Sequence, residues 1–139
     1  MNCLSMNSRA GIYLYGDNLE PSTVSKVLNI SPTISQKRGE TTASSRNSEN
    51  PIVAKLGMWA LISEHHSRDL KDHVEDLLGK LVNASIPLNL IDGVCAGYVD
   101  IVYFGPNDEC SRTTAELKLS KAHIEMIERL GLGIHFTSY

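Results

Sequence analysis

The fold turns on residues 56–84, LGMWALIS followed by EHHSR and then DLKDHVEDLLGKLVNA. The first eight residues are an apolar run that holds the only tryptophan, Trp59. Trp59 and Leu61 fall on one side of an extended chain, and Met58, Ala60 and Ile62 on the other. A strand that is apolar on both sides belongs inside a sheet rather than at its edge. In the second part Leu70, Val74, Leu77, Leu78 and Leu81 recur at helical spacing and form one stripe. Asp69 suits the N-cap, and Asp72 adds negative charge to the positive end of the helix. A strand followed by an amphipathic helix can cover its own sheet, so the remaining segments are read as layers around this unit. Gly79 lies opposite the stripe.

Working outward, residues 10–15 (AGIYLY) predict a first strand, with Ile12 and Leu14 on one face and Tyr13 and Tyr15 on the other. Pro21 fits the first position of a short helix. Leu19 and Val24 are spaced to staple its entry, and it should end near Asn29, ahead of Pro32. Residues 32–39 read as extended and then turning. Residues 40–50 are Thr, Ser, Asn, Arg and Glu with almost nothing apolar, a polar surface loop that is as often slack between elements as a contact for a ligand or partner. Residues 97–104 predict another strand and residues 115–119 a further one. Ser120 caps a last helix over 121–130, with His123, Met126, Ile127 and Leu130 inward. Gly131 stands where its C-terminus needs a left-handed residue, and residues 133–139 close the chain as a strand.

This order predicts an α+β domain: a mainly antiparallel sheet with about three helices packed on one face, in a spacing that permits a ferredoxin-like arrangement. At 139 residues and 42% hydrophobic content, residues 10–139 read as one domain behind a flexible N-terminal segment, 1–9. The net charge of −3, with dispersed Lys and Arg, argues against a nucleic-acid surface. No stretch reaches the length of a membrane span, and the start carries no apolar signal-peptide core. Three cysteines, Cys3, Cys95 and Cys110, form no CxxC pair and suggest reduced thiols in the cytoplasm.

The landmarks that recur are Pro32-Thr33 after the first helix, Gly39, Gly57-x-Trp59, and Leu130-Gly131-Leu132 closing on Tyr139. With them the chain resembles the bacterial domain-of-unknown-function family numbered 4279, over residues 10–139. The polar stretch 40–50 is a departure from that pattern. The resemblance implies a small α+β domain and no established activity, so no catalytic residue is carried over.

Candidate chemistry is thin. Glu64, His65, His66 and His73 are the most metal-like group, but adjacent histidines at a strand end point to opposite sides and the spacing is not HExxH. A solvated polar turn accounts for them, and neither a metal nor a cofactor is expected. His123 reads as a partly buried histidine, and a nucleophilic pairing with Cys95 has no support in the spacing. Lys37, Arg38 and Arg46 flank the polar loop and could meet an anion, although QKRGE is no phosphate cradle. Trp59 reads as a core anchor, the alternative being that it lines a pocket with Tyr13, Tyr15 or Tyr103. Asp100 is expected to face solvent.

Two functions are weighed. The first is a non-enzymatic binding or protein-interaction domain, an accessory or immunity-like bacterial protein. Its partner would be another protein or a second copy joined through a sheet edge or the last helix, where Ile124 points away from the stripe. The second is a small-ligand binder or small enzyme with a pocket between the sheet and residues 37–50, lined by Arg38, Trp59 and His66.

Overall fold

The computed structural model describes residues 8–44, 47–63, 70–103 and 118–138. β1 (Ser8–Gly16) lies in the middle of a five-stranded mixed sheet, in the order β2 (Ile34–Gln36), β5 (Gly57–Ser63), β1, β6 (Ala96–Tyr103), β7 (Gly133–Ser138). β1 pairs antiparallel with both β5 and β6, and β2 pairs antiparallel with β5. β6 and β7 run parallel, which departs from the all-antiparallel sheet of a ferredoxin-like domain. β1 starts at Ser8, so Ser8 and Arg9 pair within the sheet although residues 1–9 read as a loose segment.

Register sorts the side chains. Ala10, Ile12 and Leu14 share a face with Trp59 and Leu61 on one side and with Val99 and Ile101 on the other. Those residues join Val24 of α1 (Pro21–Leu28), Val74, Leu77 and Leu78 of α2 (Leu70–Lys80), Leu81 just beyond it, and Ile127 of α3 (Lys121–Arg129) in one buried core. Each large core side chain withdrawn from water contributes about 1.5–3 kcal/mol as an upper figure. The wholly buried Trp59 indole donates its Nε1 hydrogen to Ser25 Oγ at 3.1 Å, tying β5 to α1. Burying an indole N–H without a partner would cost free energy, and Ser25 removes that cost.

The short motifs have local physical causes. α1 stops at Asn29, which takes φ 55°, and Ile30 N–H returns to the Ser25 carbonyl. At the end of α3, Leu132 N–H reaches Ile127 O and Gly131 N–H reaches Glu128 O, with Gly131 at φ 71°. This is a Schellman closure, and its two apolar ends, Leu132 and Ile127, are both buried in the core. Gly57 precedes Trp59 by two because a Cβ there would collide with the Leu19 carbonyl. Ser120 Oγ accepts from His123 N–H at 3.1 Å, capping α3 as its sequence suggests.

Two readings change, those of residues 41–53 and of His73. Residues 41–44 and 47–53, which read as loop and its flank, pair as β3 (Thr41–Ser44) and β4 (Asn47–Val53) in a separate two-stranded ladder. A short ladder needs no apolar alternation, so its polar sequence conceals it. Residues 86–91 hold a 3-10 turn, Leu88–Leu90, which buries Leu88. His73, expected on the solvated flank of α2, is fully buried. Asp69 and residues 115–117 of the strand expected at 115–119 lie outside the described residues, while Lys118 and Leu119 are in no strand.

Candidate functional site

Of the three residues expected to line one pocket, Arg38 is exposed on the turn between β2 and β3, where Glu40 N–H returns to Lys37 O. It borders a recess of about 240 Å³ with Asp17, Asn18, Leu19, Glu20 and Lys37. Lys37 Nζ lies 3.2 Å from Glu20 Oε2, an ion pair half open to water and hence worth little. Two acids and two bases share the recess, so it presents no net field to an anion. Trp59, wholly buried, does not line it. His66 lies outside the described residues, as do His65 and Arg46.

The other histidines separate. His73 Nδ1 meets Ser63 Oγ at 3.0 Å inside the protein, joining α2 to the end of β5. His123 Nε2 is 3.7 Å from Glu75 Oε1, between α3 and α2, and Glu75 also faces Lys71. Among the described residues no three of His, Cys, Asp and Glu gather where they could hold a metal ion. Cys95 is an exposed free thiol.

The most organised group of polar and aromatic side chains is elsewhere, on the sheet face opposite Ile12 and Leu14. Alternation puts Arg9, Gly11, Tyr13 and Tyr15 of β1 on that face. Register brings Tyr98 opposite Tyr13, Asp100 opposite Gly11, and His135 opposite Asp100. Four rings then lie nearly parallel across three strands. Tyr13 and Tyr15 have centroids 6.3 Å apart with planes 9° from parallel. Tyr98 stands 5.8 Å from each of them, and His135 stacks on Tyr98 at 3.9 Å. The hydroxyls of Tyr98 and Tyr15 meet at 3.3 Å. The three tyrosines are part-exposed and His135 is exposed. Ala60, Ile62 and Val102, farther along the same face, are buried.

Burial raises the pKa of Tyr15, its hydrogen bond with Tyr98 adds to the rise, and the charges of Tyr98 and Asp100 push the same way. Burial raises Tyr13 as well; Arg9 opposes this, while Asp100 and Tyr15 reinforce it. The phenols are therefore held neutral, as hydrogen-bonding groups rather than bases. Alternation in β1 pairs Tyr13 with Tyr15, but the sequence does not single out Tyr98, His135 or Arg9, and it reads Asp100 as merely solvated. The motif GIYLY alone signals the cluster, through two tyrosines two residues apart.

Fold and site together define a small α+β domain with an aromatic row on the sheet face opposite Ile12 and Leu14. A family model described as "Domain of unknown function (DUF4279)" matches residues 6–139, nearly the whole chain, and the chain belongs to that family. No curated protein and no solved structure matches it. Among the described residues no helix is long and apolar enough to cross a membrane.

Proposed function

We propose that this domain is a non-enzymatic binding module for a protein partner and that the aromatic row is its contact surface. The observation that carries this reading is the near-parallel stack of Tyr13, Tyr15, Tyr98 and His135 on a part-open sheet face. Tyrosine is enriched at the centres of interfaces because one side chain offers both apolar area and a hydrogen bond. Rings already stacked have little rotamer freedom left to lose on binding, which favours association. The reading takes the three helices to lie together on the opposite side. Its support is the shared core, in which Val24, Val74 and Ile127 meet Ile12, Leu14 and Trp59. A cytoplasmic setting fits the free Cys95 thiol.

A second copy is the other partner this reading admits. β7 is an outer strand of the five-stranded sheet, and Ile134 and Phe136 on it are 47% and 54% exposed, as is Ile124 of α3 at 50%. A small anionic solute at the Arg38 recess is less well supported, because Asp17 and Glu20 share that site.

Site-specific photo-cross-linking tests the proposal. A photoreactive residue replaces Ala96, which is exposed and pairs with Tyr15; a control replaces the exposed Lys26 of α1. In extract of the source cells, position 96 should give an adduct of defined mass that position 26 does not. Changing Tyr15 and His135 to Ser should abolish it. Equal adducts from both positions, or none from 96, would reject the aromatic face as the contact surface. An adduct with the mass of a second copy would select self-association.

A further inference from the structure

The aromatic row has a carboxylate set into it, and its surroundings narrow the chemistry of what it receives. Asp100 stands on the same face as the rings, two residues from Tyr98 on β6 and directly opposite His135 on β7. On its other side, in β1, it faces Gly11. The Tyr13 ring leans over that glycine: a Cβ on Gly11 would lie 2.8 Å from Tyr13 Cε2. Rings therefore approach Asp100 from three sides: Tyr13 from β1, Tyr98 along its own strand, and His135 from β7. Asp100 is part-buried. Its charge is felt by both Tyr13 and Tyr15, and among the described residues no ion pair reaches it. Arg9 lies farther along the same face, beyond Gly11 and opposite Val102.

Resting on the partner-binding reading above, we infer that Asp100, Tyr13, Tyr98 and His135 form a receptor for a cationic side chain of the partner, specifically an arginine. A part-desolvated carboxylate that makes no ion pair among the described residues attracts a cation more strongly than a fully hydrated one does. Tyrosine ring faces carry negative potential and attract cations within about 6 Å of the centroid. A guanidinium satisfies both demands at once. It is planar, so it can lie parallel to the rings at the outside of the Tyr98–His135 stack, not between those two rings, whose centroids are already 3.9 Å apart. Its N–H fork can meanwhile address the carboxylate. A lysine ammonium is a point charge without a plane to stack, so it gains only part of this.

The test is a titration of isotope-labelled protein with the tripeptide Gly-Arg-Gly, followed by backbone amide shifts at Gly11, Asp100 and Gly133. Saturable shifts at those positions are expected, with Gly-Lys-Gly weaker and the neutral Gly-citrulline-Gly giving none. Asp100→Asn, near-isosteric and on a part-exposed face, should keep the thermal transition and weaken Gly-Arg-Gly binding by about tenfold or more. Equal shifts from the citrulline peptide, unchanged affinity in Asp100→Asn, or no saturable shift at the three amides would overturn the inference. Repeating the Ala96 cross-link in Asp100→Asn separates the two proposals. An undiminished adduct alongside absent arginine binding discards the arginine receptor and leaves the contact surface standing, whereas a lost adduct supports both.

Discussion

Tyr98 and His135 stack with ring centroids 3.9 Å apart and planes 20° from parallel, across the parallel pair β6–β7. In the parallel register the direct partner of Tyr98 is Gly133, and His135 stands opposite Asp100. The stack is thus diagonal, and Gly133 leaves room for it. This contact extends the row begun by Tyr13 and Tyr15 to the outermost strand on that side of the sheet.

The raised phenols make stability depend on alkaline pH. Both Tyr13 and Tyr15 titrate above the ordinary value near 10 in the folded protein. As pH rises the unfolded chain loses these protons first. The stabilising contribution is whole below about pH 10 and is lost as pH climbs through the folded values. In an absorbance titration Tyr13 and Tyr15 should ionise above the ordinary tyrosine range. The urea midpoint should fall above pH 10, and less steeply in Tyr15→Phe. A midpoint indifferent to pH in that range would contradict this.

Ser63 and His73 form a buried polar contact between β5 and α2. Ser63→Ala removes one partner and leaves a buried ring nitrogen less well satisfied, so it should destabilise by about 1–2 kcal/mol. Denaturant unfolding should show a lower midpoint with an unchanged slope. An unshifted midpoint would mean that the contact contributes nothing net.

Gly79 sits in the last turn of α2, and a Cβ added there would meet nothing within 4 Å. An alanine restricts the unfolded chain and finds no clash in the folded one. Gly79→Ala should stabilise by about 0.5–1 kcal/mol, read as a higher melting temperature.

Gly131 behaves in the opposite way. Its φ of 71° is a left-handed conformation, and a Cβ would collide with the Asn89 side chain. Gly131→Ala should cost at least about 1 kcal/mol from the backbone alone, more where Asn89 cannot move. Thermal melting of Gly79→Ala and Gly131→Ala side by side should show shifts of opposite sign.

Periodic features are legible in the chain because each depends on neighbours in sequence. Val74, Leu77, Leu78 and Leu81 mark α2 by spacing alone, Pro32 marks the end of the first helix, and Gly131 marks the end of the last by the backbone conformation it permits. Trp59 announces the core because nothing polar flanks it in its strand. Pairwise features are not legible. Nothing within β6 says that Tyr98 will stand opposite Tyr13, and nothing within β7 says that His135 will stack on Tyr98. Register between distant strands decides both. His73 lies at the edge of the α2 stripe, and the arrival of Ser63 on β5, which no residue of α2 announces, helps to make its burial favourable. The β3–β4 ladder is polar and carries no alternation to read. Arg38 and Trp59 look like neighbours only while the path of the chain between them is unknown.

The central position of β1 has a consequence for synthesis. The middle strand of the sheet is translated before both of its neighbours, β5 and β6, which begin only at Gly57 and Ala96. A nascent chain halted before Ala96 carries Ile12 and Leu14 on a strand with one edge still open, the sort of template that recruits other chains. Fusions or deletions that drop the C-terminal third should therefore give inclusion bodies rather than a smaller soluble domain.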